Sequence, residues 1–287
     1  MVATIIDGKA LGADLRAELR NDVQRYVQQL RQPPGLVIVR VGGDAASGVY
    51  SKAILRIANE VGVQARLDQL SVNVSPEELR VALQRLNEDT SIHGIIVQMP
   101  LPAHLSQQMI AETIAPEKDI DGINPHNAGN LLLGFPGFLP STAAAVMEIL
   151  ERTQTPLEGK HAVVLGRSNV VGKPLSILLL QKHATVTICH SRTTNLSELT
   201  RQGEILVAAV GHANMVTAEM VRPGATVIDV GINAKPGGGI VGDVDLESVL
   251  SVAGAVTPTP GGVGPLTNVV LLKQCIQAAW HQSRRRA

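Results

Sequence analysis

The sequence is short of the features that mark several classes of protein. It has two cysteines in 287 residues. Cys189 and Cys275 stand in apolar contexts without Cys-x-x-Cys spacing, so buried thiols in a reducing compartment are expected rather than a disulfide or metal pair. There is no excess charge either. The 25 basic and 25 acidic side chains cancel, which argues against a nucleic-acid or anionic-membrane partner. The terminal Arg284-Arg285-Arg286 reads as a solvated helix end. No apolar run reaches the ~18 residues of a membrane span. Asp7 and Lys9 interrupt any basic-then-apolar leader at once, so the cytoplasm is the expected location. The eight histidines have no paired ligand spacing, so no metal is expected. No repeat and no low-complexity segment is present. What is left, 45% hydrophobic and 17% charged residues, reads as a globular enzyme long enough for two domains and a sizeable core.

Among the features that are present, the stretch from Ala162 to Pro174, AVVLGRSNVVGKP, organises the rest. Four apolar residues run into Gly166, Gly172 follows six positions later, and Leu175 to Leu180 opens an apolar run of helical length. Strand, glycine turn and helix together aim free backbone N–H groups and a positive helix end at a phosphate. The spacing is G-x-S-x-x-x-G, from Gly166 through Ser168 to Gly172, not the dinucleotide fingerprint G-x-G-x-x-G, so the turn alone is a weak signal. The second strand, Ala184 to Cys189, ends in His190-Ser191-Arg192. An NAD site would carry an acid there for the ribose hydroxyl. Arg167, Ser191 and Arg192 suit a 2′-phosphate instead, and the expected cofactor is NADP.

Elsewhere strands alternate with helices. Ala3–Ile6 reads as a strand, followed by a helix with Leu11, Leu15, Leu19, Val23, Val27 and Leu30 at helical spacing. Pro33-Pro34-Gly35 ends it. Strand 36–41, a turn at Gly42-Gly43-Asp44, a helix over about 46–61 and strand 65–70 come next. Ser75 is an N-cap with Pro76 at the first helical position of a helix ending near Asp89. Strand 93–97 opens onto Gln98-Met99-Pro100, and helix 106–114 leads to a long loop containing Pro116, Lys118, Asp119, Asp121, Gly122, Asn124, Pro125, His126 and Asn127. A helix over 142–152 enters the nucleotide domain. Strands 205–210 and 225–230 each run into a glycine, Gly211 and Gly231. Thr257–Pro265 is too rich in proline and glycine for regular structure, and a last helix covers 266–282. Such alternation implies βαβ units and a mostly parallel sheet, hence an α/β fold.

Five stretches then resemble the bifunctional methylenetetrahydrofolate dehydrogenase/methenyltetrahydrofolate cyclohydrolase family: IIDGKA (5–10), VQMPLP (97–102), KDIDGINPHNAG (118–129), GRSNVVGKP (166–174) and PTPGGVGPLT (258–267), with VGDV (241–244) in addition. The resemblance implies an N-terminal βαβ substrate domain, residues 1–141, and an NADP-binding Rossmann-like domain, residues 142–265, with a folate cleft between them. A C-terminal helix, 266–287, packs back on the first. It also implies tetrahydrofolate derivatives as ligands and a homodimer. By resemblance Asp121 takes the pterin N–H groups in a charge-assisted pair, Tyr50 lies against the folate, and Gln98 orients the catalytic base. Pro100, Pro260, Gly261 and Gly262 line the substrate, the glycines allowing close backbone approach. The cofactor positions are Gly166, Arg167, Ser168, Val171, Gly172, Ser191, Arg192, Val210, Gly211, Gly231, Ile232 and Thr267.

The chain also departs from the family. There the tyrosine is followed four residues later by a lysine, taken to serve water attack in the cyclohydrolase step. Here that position is Ile54. The nearest lysine, Lys52, lies about 200° around the helix from Tyr50. Isoleucine cannot donate, accept or titrate, so the lysine's acid/base role is gone. Pro140-Ser141-Thr142-Ala143 replaces the family's Pro-Cys-Thr-Pro, with Ala145 where glycine is usual, and Asn124 stands where a histidine is commoner. The expected function is NADP-dependent oxidation of 5,10-methylenetetrahydrofolate with weak or absent cyclohydrolase. Two alternatives stay open: a specialised paralogue that passes the one-carbon unit to or from another metabolite, and a non-catalytic folate- or NADP-binding protein.

Overall fold

The fold comes from a computed structural model that describes residues 2–43, 45–235 and 237–285, with the backbone alone for residues 45–47. In chain order the first elements are β1 (Thr4–Ile5), α1 (Gly8–Leu30), β2 (Gly35–Val41), α2 (Ala45–Val61), β3 (Gln64–Leu70), α3 (Pro76–Glu88) and β4 (Gly94–Val97). Next come α4 (Gln107–Thr113), α5 (Pro125–Leu133), α6 (Ser141–Arg152), β5 (His161–Leu165), α7 (Gly172–Gln181), β6 (Thr185–Cys189), α8 (Leu196–Thr200) and β7 (Ile205–Ala208). A 3-10 turn at Ala218–Met220 precedes β8 (Thr226–Asp229), β9 (Asn233–Ala234), β10 (Ile240–Val241), α9 (Leu246–Val249), β11 (Ala255–Val256) and α10 (Val263–Arg284). No helix among the described residues is long and apolar enough to cross a membrane.

The chain divides into two compact units. The first comprises Ala13–Ser141 and Asn268–Ala287; the second comprises Met1–Gly12 and Thr142–Thr267. In the first, a three-stranded parallel sheet has the order β3-β2-β4. Its central strand, GLVIVRV, is apolar on both faces because both are covered, and all its residues but Arg40 are buried. Val37, Val39, Leu79, Leu83, Ile95 and Ile110 belong to its core. Helix α3 starts at a complete capping box, in which Ser75 Oγ accepts from the Glu78 N–H and Glu78 reaches back to the Ser75 N–H.

In the second unit a six-stranded sheet has the order β1-β11-β8-β7-β5-β6, parallel at every pairing. Chain order reverses at β5, which has β6 on one side and β7 on the other, the switch point at which open α/β sheets take ligands. Its core is aliphatic: Val163, Leu165, Leu206, Ala208, Val227 and Val256. The chain's one tryptophan, two tyrosines and two phenylalanines all fall in the first unit and none in the second. Tyr26 of α1 meets Trp280 of α10 edge-on at 4.9 Å, and the Trp280 indole N–H donates to Asp22 at 3.2 Å. His93 accepts the Gly35 N–H at Nδ1, 2.9 Å. Both cysteines are free and buried.

Three expectations need correction. Residues 1–12 do not join the substrate unit, because β1 pairs in parallel with β11 and belongs to the nucleotide sheet. The loop after Asp121 contains a helix, α5, started by the Asn124 side chain, which accepts from the His126 N–H, and by Pro125 in the first turn. Helix α10 opens at Val263, inside the glycine-proline stretch and three residues before Leu266. Arg284 and Arg285 are exposed. Arg286 and the Asp44 of the expected turn lie outside the described residues.

Candidate active site

In the first unit the chemistry-bearing side chains come from α2, from the end of β4 and from the segment before α5. Tyr50 is about a third exposed, at 36%, while Ile54, one turn further on, is fully buried. Helix α2 runs unbroken through both, and Lys52 is exposed. With no bulge, Lys52 stays about 200° around the axis from Tyr50. Gln98 is buried at the C-terminal end of β4, where its N–H donates to the Val39 carbonyl at 2.8 Å. The next peptide, Met99–Pro100, is cis.

Asp121 and Tyr50 are brought together. Burial, and then the charge of Asp121, push the Tyr50 hydroxyl far above its ordinary value. Burial also pushes the Asp121 carboxyl up, against the hydroxyl and N–H of Ser141, which hydrogen-bond its ionised form. Ser141, one of the departures from the family pattern, is therefore the residue that holds this carboxylate.

The other residues of the KDIDG stretch are scaffold. Asp119 is fully buried and accepts from the Ile123 N–H (3.1 Å), the Asn124 N–H (2.8 Å) and the Asn127 amide (2.8 Å). Burial still outweighs these bonds and raises its carboxyl to about 6. The Lys118 ammonium donates to the carbonyls of Leu86 (3.0 Å) and Asp89 (2.7 Å). Gln274 of α10 donates to the carbonyls of Ile120 and Leu139, both at 2.8 Å, and accepts the Leu139 N–H at 2.8 Å. It thus clamps the residue before Asp121 to the one two before Ser141. Sequence reading missed Gln274; its partners are more than 130 residues away and leave no local signal.

In the second unit the site is mostly backbone. Gly166 has φ +126°, closed to residues with a side chain, and a Cβ there would collide with the Ala209 carbonyl. A Cβ on Gly172, the first residue of α7, would collide with the Gly166 carbonyl. The two glycines thus let strand, turn and helix pack against one another. Ser168 Oγ accepts from the Val171 N–H (3.1 Å) and the Gly172 N–H (3.4 Å). The N–H groups of Arg167, Ser168, Asn169 and Val170 have no acceptor among the described residues. Helix α7 has no side-chain N-cap. Next to this turn, beyond β6, the His190 Nδ1 accepts the Arg192 N–H at 3.1 Å, and Ser191 and Arg192 are exposed, as is Arg167.

The remaining expected positions lie at strand ends and on α10. The Val210 and Gly211 N–H groups are held by the buried Asp243. The Gly231 N–H is held by the buried Asp229, and Ile232 is exposed. Sequence reading singled out neither carboxylate. The peptide before Pro260 is cis, and Gly262 packs so closely on Gly8 that a Cβ on Gly8 would meet its carbonyl. Asp7 caps α1 at that point, accepting from the Lys9 (2.9 Å) and Ala10 (3.1 Å) N–H groups. Thr267 donates its hydroxyl to the Val263 carbonyl in its own helix. No group of three or more His, Cys, Asp or Glu side chains among the described residues could hold a metal ion.

Two family models match the chain: "Tetrahydrofolate dehydrogenase/cyclohydrolase, catalytic domain" over residues 6–121, and "Tetrahydrofolate dehydrogenase/cyclohydrolase, NAD(P)-binding domain" over residues 140–283. The chain is 48% identical over 285 residues to the bifunctional protein FolD of Brevibacillus brevis, covering 99% of this chain and 100% of that one. The crystal structure of the bifunctional FolD dehydrogenase/cyclohydrolase of Campylobacter jejuni superposes with a TM-score of 0.95 at 41% identity, over 97% of this chain and 99% of that one. The Trypanosoma brucei dehydrogenase-cyclohydrolase, solved with NADP cofactor and an inhibitor, gives 0.95 at 35% identity, over 99% of each chain.

Proposed function

This chain belongs to the tetrahydrofolate dehydrogenase/cyclohydrolase family, and we propose that it oxidises 5,10-methylenetetrahydrofolate to the 5,10-methenyl cation with NADP, while hydrolysis of that cation is weak or absent. The observation that carries the split between the two activities is Ile54, fully buried on an unbroken α2 one turn beyond Tyr50.

The second unit fits the cofactor. The N–H groups of four consecutive residues, Arg167 to Val170, have no acceptor among the described residues and lie in the turn just before α7, which suits a pyrophosphate. Exposed Arg167, Ser191 and Arg192 beside them suit a 2′-phosphate. NADP supplies the hydride acceptor; the protein's part is to hold, orient and shield. Asp121, desolvated and held by Ser141, takes the pterin N–H groups as a charge-assisted acceptor. The Tyr50 ring lies against the folate, and its hydroxyl stays protonated across the working pH range. Gln98 and Pro100, at the end of β4, border the ring. Ile54 offers no group to activate water, so the methenyl cation outlives its formation.

The supported partners are tetrahydrofolate derivatives and a second copy of the chain. For the dimer, β3 is a sheet edge with Leu67 exposed at 36%, the kind of edge another strand can pair with. Two free buried thiols fit a reducing cytoplasm.

Two assays on one preparation test the reading. NADP reduction with methylenetetrahydrofolate should proceed, and methenyltetrahydrofolate should decay at its spontaneous rate. Ile54→Lys should then raise decay severalfold above that rate. Brisk decay with the unaltered chain would mean that another group activates water and that the reading of Ile54 is wrong. Silence in both assays would favour a specialised use of the one-carbon unit.

A further inference from the structure

We propose that Asp243 and Asp229 are positioning residues for the nicotinamide half of the cofactor: they turn the backbone after β7 and β8 so that carbonyl oxygens, not N–H groups, face the ligand. The inference rests on the NADP reading above.

The geometry is explicit. Asp243 Oδ2 accepts from both the Val210 and Gly211 N–H groups, at 2.6 and 2.9 Å. Asp229 Oδ1 accepts from the Gly231 N–H at 2.9 Å. Asp229 in turn holds the backbone that carries Asp243, since the Asp243 N–H donates to Asp229 Oδ1 at 2.9 Å and the Val244 N–H donates to Oδ2 at 3.3 Å. Asn233 closes the network from the other side, its amide donating to Asp243 Oδ1 at 2.9 Å. Thr257 accepts the Asp229 N–H at 2.8 Å. Both acids are buried, which is costly for two neighbouring carboxylates unless hydrogen bonds satisfy them, as these do. What they fix is the direction of three peptide planes. In a trans peptide the N–H and C=O point opposite ways. With the N–H groups of 210, 211 and 231 drawn inward, the carbonyls of Ala209, Val210 and Val230 point away from the carboxylates. The Ala209 carbonyl closes on Gly166, which leaves those of Val210 and Val230 as outward acceptors.

Position supplies the ligand. The groups suited to the 2′-phosphate lie at the ends of β5 and β6, and the sheet continues from β5 to β7 and β8. A dinucleotide crossing the switch point therefore carries its other end over β7 and β8. That end is a carboxamide, whose NH2 offers two donors and needs carbonyl acceptors. Asp243 and Asp229 need not touch it; they keep the acceptors turned towards it.

The test compares NADP+ with adenosine 2′,5′-bisphosphate, which lacks the nicotinamide half, by calorimetric titration of the full chain. Asp243→Asn, whose NH2 confronts N–H donors, should weaken NADP+ roughly tenfold while the fragment keeps its affinity to within about twofold. Equal weakening of both ligands would reduce Asp243 to a general structural role and overturn the inference. Undiminished NADP+ affinity would also overturn it. If Asp243→Asn does not fold, Asn233→Ala keeps both carboxylates and should give the same one-sided loss at a few-fold; no loss there counts against the proposal. Wild-type protein that binds neither ligand would sink the NADP reading itself, an outcome separable from the others.

Discussion

The two units carry their sites in different materials. In the first, the proposed site is side chains: Tyr50 on α2, Gln98 at the end of β4 and Asp121 in the segment before α5. In the second it is backbone: Gly166 and Gly172 leave no room for a Cβ, and the groups offered to a ligand are peptide N–H and C=O. Each unit adds buried acids whose oxygens bond to the chain itself, Asp119 in one and Asp229 with Asp243 in the other. An acid whose oxygens are filled by the chain's own N–H groups is scaffold; an acid with room left, such as Asp121, is available for chemistry. Substitutions at Tyr50, Gln98 or Asp121 should therefore fail through activity, and those at Gly166 or Gly172 through folding.

The most damaging change should be Gly172→Ala. Alanine is the better helix former by about 1 kcal/mol, so any loss isolates the close approach to Gly166. A loss of about 4 kcal/mol or more in unfolding free energy is expected by denaturant titration. Full stability would erase the contrast. Asp119 comes next, as a pH effect. Its carboxyl is raised from 3.8 to about 6, so the folded state is favoured in acid. The contribution is complete below the unfolded value and is lost as pH rises through the folded one. Unfolding free energy should fall by about 3 kcal/mol across that window. Asp119→Asn should be less stable and should lack that slope; an unchanged slope would place the titration elsewhere. Asp121→Asn should lower kcat/KM on the order of 100-fold, near 2.7 kcal/mol, with little change in the melting midpoint. A melting loss as large as that of Gly172→Ala would make Asp121 scaffold after all.

How much of this was legible in the sequence follows from how local each signal is. The N-cap at Ser75 with Pro76 after it, the strand-turn-helix at Gly166 and the apolar β2 are written within a few residues, and they were read. Helix α5 was passed over although Asn124-Pro125 is a sound start signal, because the polar residues before it read as one loop. The placement of residues 1–12 in the nucleotide sheet depends on β1 pairing with β11, some 250 residues on. Nothing within either segment announces that pairing. The acids divide in the same way: Asp121 stood out through its motif, whereas Asp229 and Asp243 act through N–H groups 2 to 33 residues away. Only the fold brings these partners to them.

The uneven distribution of aromatic residues has an optical consequence. Tryptophan emission and near-ultraviolet circular dichroism arise in this molecule from the first unit alone, with Trp280 edge-on to Tyr26 as the emitter. The second unit, free of tryptophan, tyrosine and phenylalanine, is dark in both. Far-ultraviolet dichroism, which follows backbone, sees the two together. Recorded on one sample, the emission curve and the far-ultraviolet curve form two channels. Any separation between them on heating measures how independently the units melt, with no label added.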